Sequence, residues 1–284
     1  MKRALALVPL ILAGGICCSA DEVSMFKAYV DTDLCARLML GPVTSARIAC
    51  SQQTHKDGSD PVLVQLSNNL VLDANKDNLI KNLVGQLADV SGQINVKNGS
   101  VKLQSVTPIK ADAIPQGDPA RKQLDVRMYR TTGSPQLYEK IRHELAMMPY
   151  ISEFDFISFT MAGNDVILTG WTVRQTNRSD AQNIVKNIEG VGTIINNIEV
   201  LPLGSFDMQI RARTRAVLQQ NLSMYFWGNG SDIKIVVKNG DVILLGNVIR
   251  QSDKDIANIR VNSIPGVFHV FNLLRVQSGE EKKG

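Results

Sequence analysis

Residues capable of catalysis or metal binding are few in this chain and do not form a complete motif. His143 and Glu144 begin the zinc-protease pattern H-E-x-x-H, but Met147 stands where the second histidine is required. The other two histidines, His55 and His269, are distant from this pair in sequence. The chain has no G-x-S-x-G, P-loop or G-x-G-x-x-G motif. We therefore predict a protein that is not an enzyme, with no catalytic residue, no metal site and no cofactor.

The sequence does contain a cluster of aromatic and basic residues that could form a binding site. Residues 224–227 read M-Y-F-W at the end of a predicted helix, where not all four side chains can point inward. Residues 205–277 carry nine basic and five acidic residues, a net charge of +4, whereas residues 136–204 carry a net charge of −3. Aromatic rings settle among lipid headgroups while arginines contact phosphate, so we predict contact with an anionic phospholipid membrane surface. The predicted site consists of Arg211, Arg215, Tyr225, Phe226 and Trp227.

The first twenty residues have the pattern of a secretory signal peptide. Lys2 and Arg3 precede an apolar run over residues 4–16, and small residues follow up to Ala20. A positive start, an apolar centre and a small-residue cleavage site direct a chain to export. We therefore predict residues 1–20 to be a signal peptide and the protein to be located in the periplasm or cell envelope.

Export also decides how the cysteines are interpreted. Cys17 or Cys18 could carry a lipid, which would make the chain a membrane-anchored lipoprotein, and a retained N-terminal anchor is a further alternative. Cys35 and Cys50 remain in the mature chain. Two cysteines in an exported protein favour a disulfide, which would stabilise the fold by about 3 kcal/mol.

Two stretches of the C-terminal half repeat one another and define the elements that position the aromatic cluster. Residues 165–200 and 241–276 align without a gap at an offset of 76 residues. Each contains an apolar run ending in Gly, a helical pattern with a small Ala, and a Gly-Val pair before a β-rich run. A further helical pattern and strand precede each stretch, so the predicted order is helix, strand, strand, helix, strand. Two helices would then cover one face of a three-stranded mixed sheet.

These motifs resemble the BON domain, a small α/β module of exported bacterial proteins. Both copies contain V-x-L-x-G, A-x(6)-I-x-G-V and N-x-x-x-V, the last ending at Val200 and Val276. We therefore predict BON-like domains at residues 136–204 and 205–277. The resemblance implies a place in the bacterial envelope, phospholipid binding and protection of the envelope under stress.

Residues 21–108 are predicted to form a small β-rich domain. Several short apolar runs and the turn signal at Asn98-Gly99 favour strands, and Ser51 to Pro61 is predicted as a polar loop. The stretch resembles the OB-like domains of exported bacterial proteins, which implies a small β-barrel. The likeness is carried by Asp33, Cys35, Cys50, Val90, Gly92, Val101 and Lys102. Few aromatic residues lie here, so binding of oligonucleotides or sugars is not predicted.

The whole chain is predicted to be an α+β protein, in which a small OB-like β-barrel is followed by two αββαβ BON-like domains. Residues 109–135, with several Pro and Gly, are predicted as a linker, and residues 278–284 as a charged tail. The predicted function is that of an exported, non-enzymatic cell-envelope protein that associates with phospholipid surfaces and supports envelope integrity.

Two alternatives to the lipid site stay open. Met224 and Phe226 could fill the core, which would leave the rest of the cluster as ordinary surface. The cluster could also be a protein interface, which would make the chain a periplasmic interaction scaffold with envelope proteins as partners. Nucleic acid is not a predicted partner, because the net charge of the chain is only +4.

Overall fold

The computed structural model describes residues 23–39, 41–75, 77–96, 98–124, 134–227 and 231–277. The predicted signal peptide with Cys17 and Cys18, the middle of the predicted linker and the predicted charged tail lie outside the described residues. Within those residues, no helix is long and apolar enough to cross a membrane.

The N-terminal unit is built on a five-stranded antiparallel sheet with the strand order β3-β2-β1-β4-β5. The strands are β1 (Val23–Thr32), β2 (Pro61–Gln65), β3 (Val71–Leu72), β4 (Leu87–Asn95) and β5 (Ser100–Ile109). Two helices, α1 (Asp33–Leu38) and α2 (Ser45–Lys56), lie between β1 and β2, and α3 (Asn78–Lys81) lies between β3 and β4. The sheet curls around an apolar cluster that includes Val30, Leu63 and Ile80.

The sheet does not close into a full barrel. Its two edge strands meet at a single parallel bridge between Asp73 and Ser100. A longer ladder cannot form because β3 is only two residues long and the chain turns at Asn75, which has a φ of 51°. The β-rich prediction is confirmed, the closed barrel is corrected to an open curled sheet, and the OB-like likeness stays a prediction.

Helix α2 corrects the predicted polar loop at Ser51 to Pro61, whose first half is helical. Thr44 caps this helix by accepting a hydrogen bond from the backbone N–H of Arg47. The buried face of α2 is polar: the Arg47 guanidinium and the Ser51 hydroxyl both donate to the buried Asp31 carboxylate, at 2.8 and 2.5 Å. A helix anchored through charge has no apolar periodicity, which is why the sequence pattern did not indicate it.

The predicted disulfide joins the two helices that follow β1. Cys35 in α1 is bonded to Cys50 in α2, and their Cα atoms are 6.1 Å apart. The bond closes a short loop, for which a stabilisation of about 3 kcal/mol is typical.

The first part of the predicted linker packs on the N-terminal unit. Two short 3-10 helices, Ala111–Ala113 and Pro119–Gln123, follow β5. Ile114 and Ala120 are buried in a cluster with Tyr29, so this part of the segment belongs to the N-terminal core.

The two C-terminal units have the predicted element order. The first unit contains α4 (Pro135–Ala146), β6 (Phe156–Ala162), β7 (Asp165–Thr172), α5 (Gln175–Lys186) and β8 (Ile194–Val200). The second contains α6 (Ser205–Asn221), β9 (Ile233–Lys238), β10 (Asp241–Val248), α7 (Gln251–Asn262), β11 (Val270–Asn272) and β12 (Arg275–Val276). In each unit an antiparallel hairpin is extended by a parallel final strand, which is split into β11 and β12 in the second. The predicted mixed sheets are therefore confirmed.

The three units share an apolar core away from the helices of the C-terminal units. Leu34 from α1 packs with Trp171 from β7 and with Val236 and Ile243 from the β9–β10 hairpin. All four side chains are at most 6% exposed. Burial of this much apolar surface fixes the three units against one another.

Candidate functional site

The predicted aromatic cluster lies in a short 3-10 helix, Ser223–Phe226, that follows α6. Its central residues turn inward. The Tyr225 side chain is 3% exposed, and its hydroxyl donates to the Asp253 carboxylate at 2.6 Å and accepts from the Ile249 N–H at 2.8 Å. Phe226 packs against the apolar core of the second C-terminal unit. Tyr225 is therefore a buried structural residue, and Phe226 is partly buried.

The predicted arginines are also engaged within the protein. Arg211 is 4% exposed, and its guanidinium donates to the carbonyl oxygens of Val237 and Pro202. Burial lowers the pKa of Arg211. Arg215 is partly exposed and forms an ion pair with Glu153. Arg211 is therefore buried and cannot contact a membrane surface. Arg215 is about half exposed, but it is paired with Glu153.

Asp207, in the first turn of α6, binds the turn of a neighbouring hairpin. Gly204 occupies the capping position of α6, and Asp207 lies one turn further on. Its carboxylate accepts hydrogen bonds from the N–H groups of Asn239 and Gly240, each at 2.9 Å. The buried carboxylate therefore holds the turn between β9 and β10.

Trp227 and Met224 are the exposed members of the cluster, at 75% and 55%. Ile249 is 51% exposed, and the hydrogen bond from its backbone N–H to the Tyr225 hydroxyl joins it to the same segment. Arg250 is exposed and close enough to that hydroxyl to lower its pKa, although burial and Asp253 raise it overall. We call Met224, Trp227, Ile249 and Arg250 the tryptophan patch. Ile249 and Arg250 were not predicted from the sequence, since they lie between β10 and α7 and only the fold brings Ile249 to Tyr225.

The first C-terminal unit has a similar arrangement at the same end. Tyr150 is 77% exposed, and the Arg174 guanidinium lies 5.9 Å from the centre of its ring. Arg174 and Arg250 are equivalent positions of the repeat. An exposed aromatic residue and an arginine therefore recur in both units, but the surrounding unit is acidic in the first case and basic in the second.

The most highly charged site is a buried ring of four side chains from all three units. The Arg37 guanidinium contacts Asp33 at 2.9 Å and Glu199 at 3.0 Å, and the Lys238 ammonium contacts the same carboxylates at 3.2 and 2.8 Å. Burial would raise the pKa of Asp33, but the charges of Arg37 and Lys238 outweigh it and lower this pKa to about 2. Burial would lower the pKa of Lys238, but Asp33 and Glu199 raise it. Asp33 and Lys238 are therefore charged at neutral pH, and the ring ties the units together.

The ring gives a pH dependence that can be measured. A depressed carboxyl pKa contributes stability above the unfolded pKa of about 4, and this contribution is lost as the pH falls to about 2. We expect the free energy of unfolding of wild type to exceed that of Asp33→Asn at pH 6, and the difference to shrink by about 2 kcal/mol at pH 2. Urea unfolding at both pH values measures it. A difference that does not change with pH would contradict the charged ring.

The histidines form no metal site in the part of the chain that the structure describes. His55 lies in α2 and His143 in α4, while His269 contacts Asp241 at 2.8 Å on the surface. In the ranges that the structure describes, no group of three His, Cys, Asp or Glu residues is placed to hold a metal ion.

Comparison with known proteins identifies the two repeated units. The model of the BON domain matches residues 135–202 and 207–278. The outer membrane lipoprotein DolP of Haemophilus influenzae is 30% identical over 113 residues, which cover 38% of this chain and 58% of that protein. The match thus spans less than two thirds of the length of this relative.

Two solved structures of CdsD, a structural protein of the type III secretion system of Chlamydia trachomatis, are also similar. One, the C-terminal domain, matches half of this chain and 98% of its own length, at 11% identity and a TM-score of 0.21. The other covers 50% of this chain and 92% of its own length, at 12% identity and a TM-score of 0.19. At TM-scores this low, the similarity indicates nothing about what this chain does.

Proposed function

Because two BON domains in tandem make up the C-terminal half of this chain, we propose that it is a non-enzymatic cell-envelope protein that associates with phospholipid surfaces and supports envelope integrity. The similarity to an outer membrane lipoprotein supports an envelope location. The second BON domain provides the lipid contact.

The observation that carries this proposal is the exposure of Trp227. Trp227 is 75% exposed, and Met224 in the same segment is 55% exposed, so this segment leaves apolar surface in water. Tryptophan is suited to the membrane interface, where its ring lies at the level of the headgroups. Tyr225 fixes this surface, since its hydroxyl ties the segment to the start of α7.

Charge indicates which lipids the patch prefers. Arg250 is an exposed member of the patch, and residues 205–277 have a net charge of +4. Each basic residue near an anionic surface contributes about 1 kcal/mol of attraction. Anionic vesicles are therefore bound more tightly than neutral ones, and added salt weakens the preference.

Co-sedimentation of the full chain with anionic and neutral vesicles tests the proposal. Replacing Trp227 with Ala removes a side chain whose burial contributes about 1.5–3 kcal/mol, so we expect vesicle binding to weaken about tenfold or more. Arg250→Ala is expected to weaken binding about fivefold, and only to anionic vesicles.

Tyr150→Ala is the matched control, because Tyr150 is an equally exposed aromatic residue in the acidic first BON domain. It is expected to bind vesicles as wild type does. Wild-type binding by Trp227→Ala, or no binding of wild type to either vesicle, would reject the lipid contact. The latter result would favour the interaction scaffold instead.

A further inference from the structure

A groove between the N-terminal unit and the first BON domain takes no part in the proposed lipid contact. Its volume is about 710 Å³, and a connected cleft of about 280 Å³ leads from it to Arg37 and Glu199. One wall comes from the N-terminal sheet and the other from α5 and β8. Ligand sites of this size are common where domains meet.

The residue types that line the groove indicate which class of ligand it could bind. Five side chains are aliphatic, including Leu70 and Ile94, and five are amides, including Gln65 and Gln182. None of the lining residues is aromatic, so a base or sugar ring has no surface on which to stack. Arg178 is the one charged residue in the lining, which does not suit a polyanion. Amides that both donate and accept hydrogen bonds, alternating with aliphatic side chains, suit a peptide backbone.

The edge of β8 faces this groove. Among the described residues, the strand order β6-β7-β8 leaves β8 with a partner strand on one side only. In a parallel ladder, alternate residues of a strand bond to the same neighbouring strand. The bond from the Val166 N–H to the Thr193 carbonyl shows which residues of β8 bond to β7. It follows that odd-numbered residues of β8 bond to β7, while Ile194 directs its N–H and C=O away from β7. Ile194 lines the groove, and no described residue bonds to these two groups.

The opposite wall also ends in an open strand edge. Strand β1 pairs with β4 over Val23–Tyr29, but with β2 only over Ala28–Thr32. No described strand therefore lies on the β2 side of the stretch from Val23 to Phe26, and Ser24 in that stretch lines the groove. On β8 the outward groups of Asn196 and Ile198 are already bonded, so Ile194 is the open position there. One open position on β8 and the open stretch of β1 favour an extended segment over a compact ligand.

We propose that this groove binds an extended, largely uncharged polypeptide segment, which adds as a strand to β8 at Ile194 and places alternate apolar side chains against the aliphatic lining. Such binding takes its affinity from main-chain hydrogen bonds and its specificity from the alternate side chains. The site is separate from the tryptophan patch and does not depend on lipid binding.

Selection of a displayed library of random peptides on the full chain tests this proposal. We expect the selected peptides to alternate apolar and polar residues and to lose binding when alternate backbone nitrogens are methylated. The variant Ile194→Pro removes the outward N–H and leaves the β7–β8 ladder bonds in place, so we expect it to weaken peptide binding about tenfold.

Val270→Pro is the matched control, because Val270 is the equivalent position of the second BON domain and does not line the groove. It is expected to bind the peptides as wild type does. The proposal is overturned if no peptide is enriched, if methylated peptides bind equally well, or if both proline variants bind as wild type does. Because the methylation test uses wild-type protein, it holds even if Ile194→Pro fails to fold.

Discussion

Replacing Lys238 with Met is expected to lower the free energy of unfolding by about 3–5 kcal/mol at neutral pH. The Lys238 ammonium contacts Asp33 and Glu199 in a ring that is at most 20% exposed. Without it, two buried carboxylates face the single guanidinium of Arg37, and one negative charge is left uncompensated. The loss comes from this stranded charge, since an intact buried ion pair contributes little by itself. Urea unfolding followed by circular dichroism measures the difference.

An exposed ion pair provides the control for this substitution. Arg142 contacts Glu139 at 2.8 Å on the surface of α4, where the two side chains are 59% and 60% exposed. Arg142→Met is expected to change the free energy of unfolding by less than about 0.5 kcal/mol, because water screens such pairs. If Lys238→Met cost no more than Arg142→Met, the ring would not hold the three units together.

Replacing Gly170 with Ala is expected to destabilise the first BON domain by more than about 3 kcal/mol. Gly170 ends the repeated V-x-L-x-G pattern and has a φ of 116°, which side-chain-bearing residues rarely adopt. An added Cβ would lie 1.9 Å from the carbonyl oxygen of Phe156 on the neighbouring strand. The backbone must therefore move, and the β6–β7 hairpin loses its register. Thermal unfolding measures the effect.

Two other glycine substitutions serve as comparisons, one at the equivalent position of the repeat and one where an added Cβ meets no neighbouring atom. Gly246, the equivalent residue of the second BON domain, has a φ of 114°, and its added Cβ would lie 1.9 Å from the Asp232 carbonyl oxygen. Gly246→Ala is therefore expected to be as damaging as Gly170→Ala. Gly117 has no atom within 4 Å of an added Cβ, so Gly117→Ala is expected to stay within about 0.5 kcal/mol of wild type. Equal melting temperatures for Gly170→Ala and Gly117→Ala would contradict the close approach.

The repeat was predictable because its signals are local. The apolar runs of β7 and β10, the glycine that ends each run and the helical spacing in α4 all act within a few residues. The Cys35–Cys50 disulfide was predictable for a different reason, since the predicted export and removal of residues 1–20 would leave only these two cysteines to pair. The repeat follows short-range rules of secondary structure, and the disulfide follows from the small number of possible cysteine pairs.

The buried charged residues were not predictable, because in the sequence they look the same as charged residues on a solvent-exposed surface. Asp33, Arg37, Glu199 and Lys238 meet only after three units have folded together. Arg211 looked like a lipid ligand for the same reason, yet its guanidinium is buried against backbone carbonyls. In each case the partner lies far along the chain, so the tertiary fold determines whether the charge is exposed.

The emission of Trp227 in the presence of vesicles tests the membrane contact most directly. The chain has two tryptophans, of which Trp171 is fully buried and Trp227 is 75% exposed, so a spectrum of Trp227→Phe subtracted from wild type isolates Trp227. We predict that anionic vesicles shift this emission to shorter wavelength and that brominated acyl chains quench it. An unchanged, unquenched Trp227 spectrum on vesicles to which the protein is bound would contradict the proposed contact.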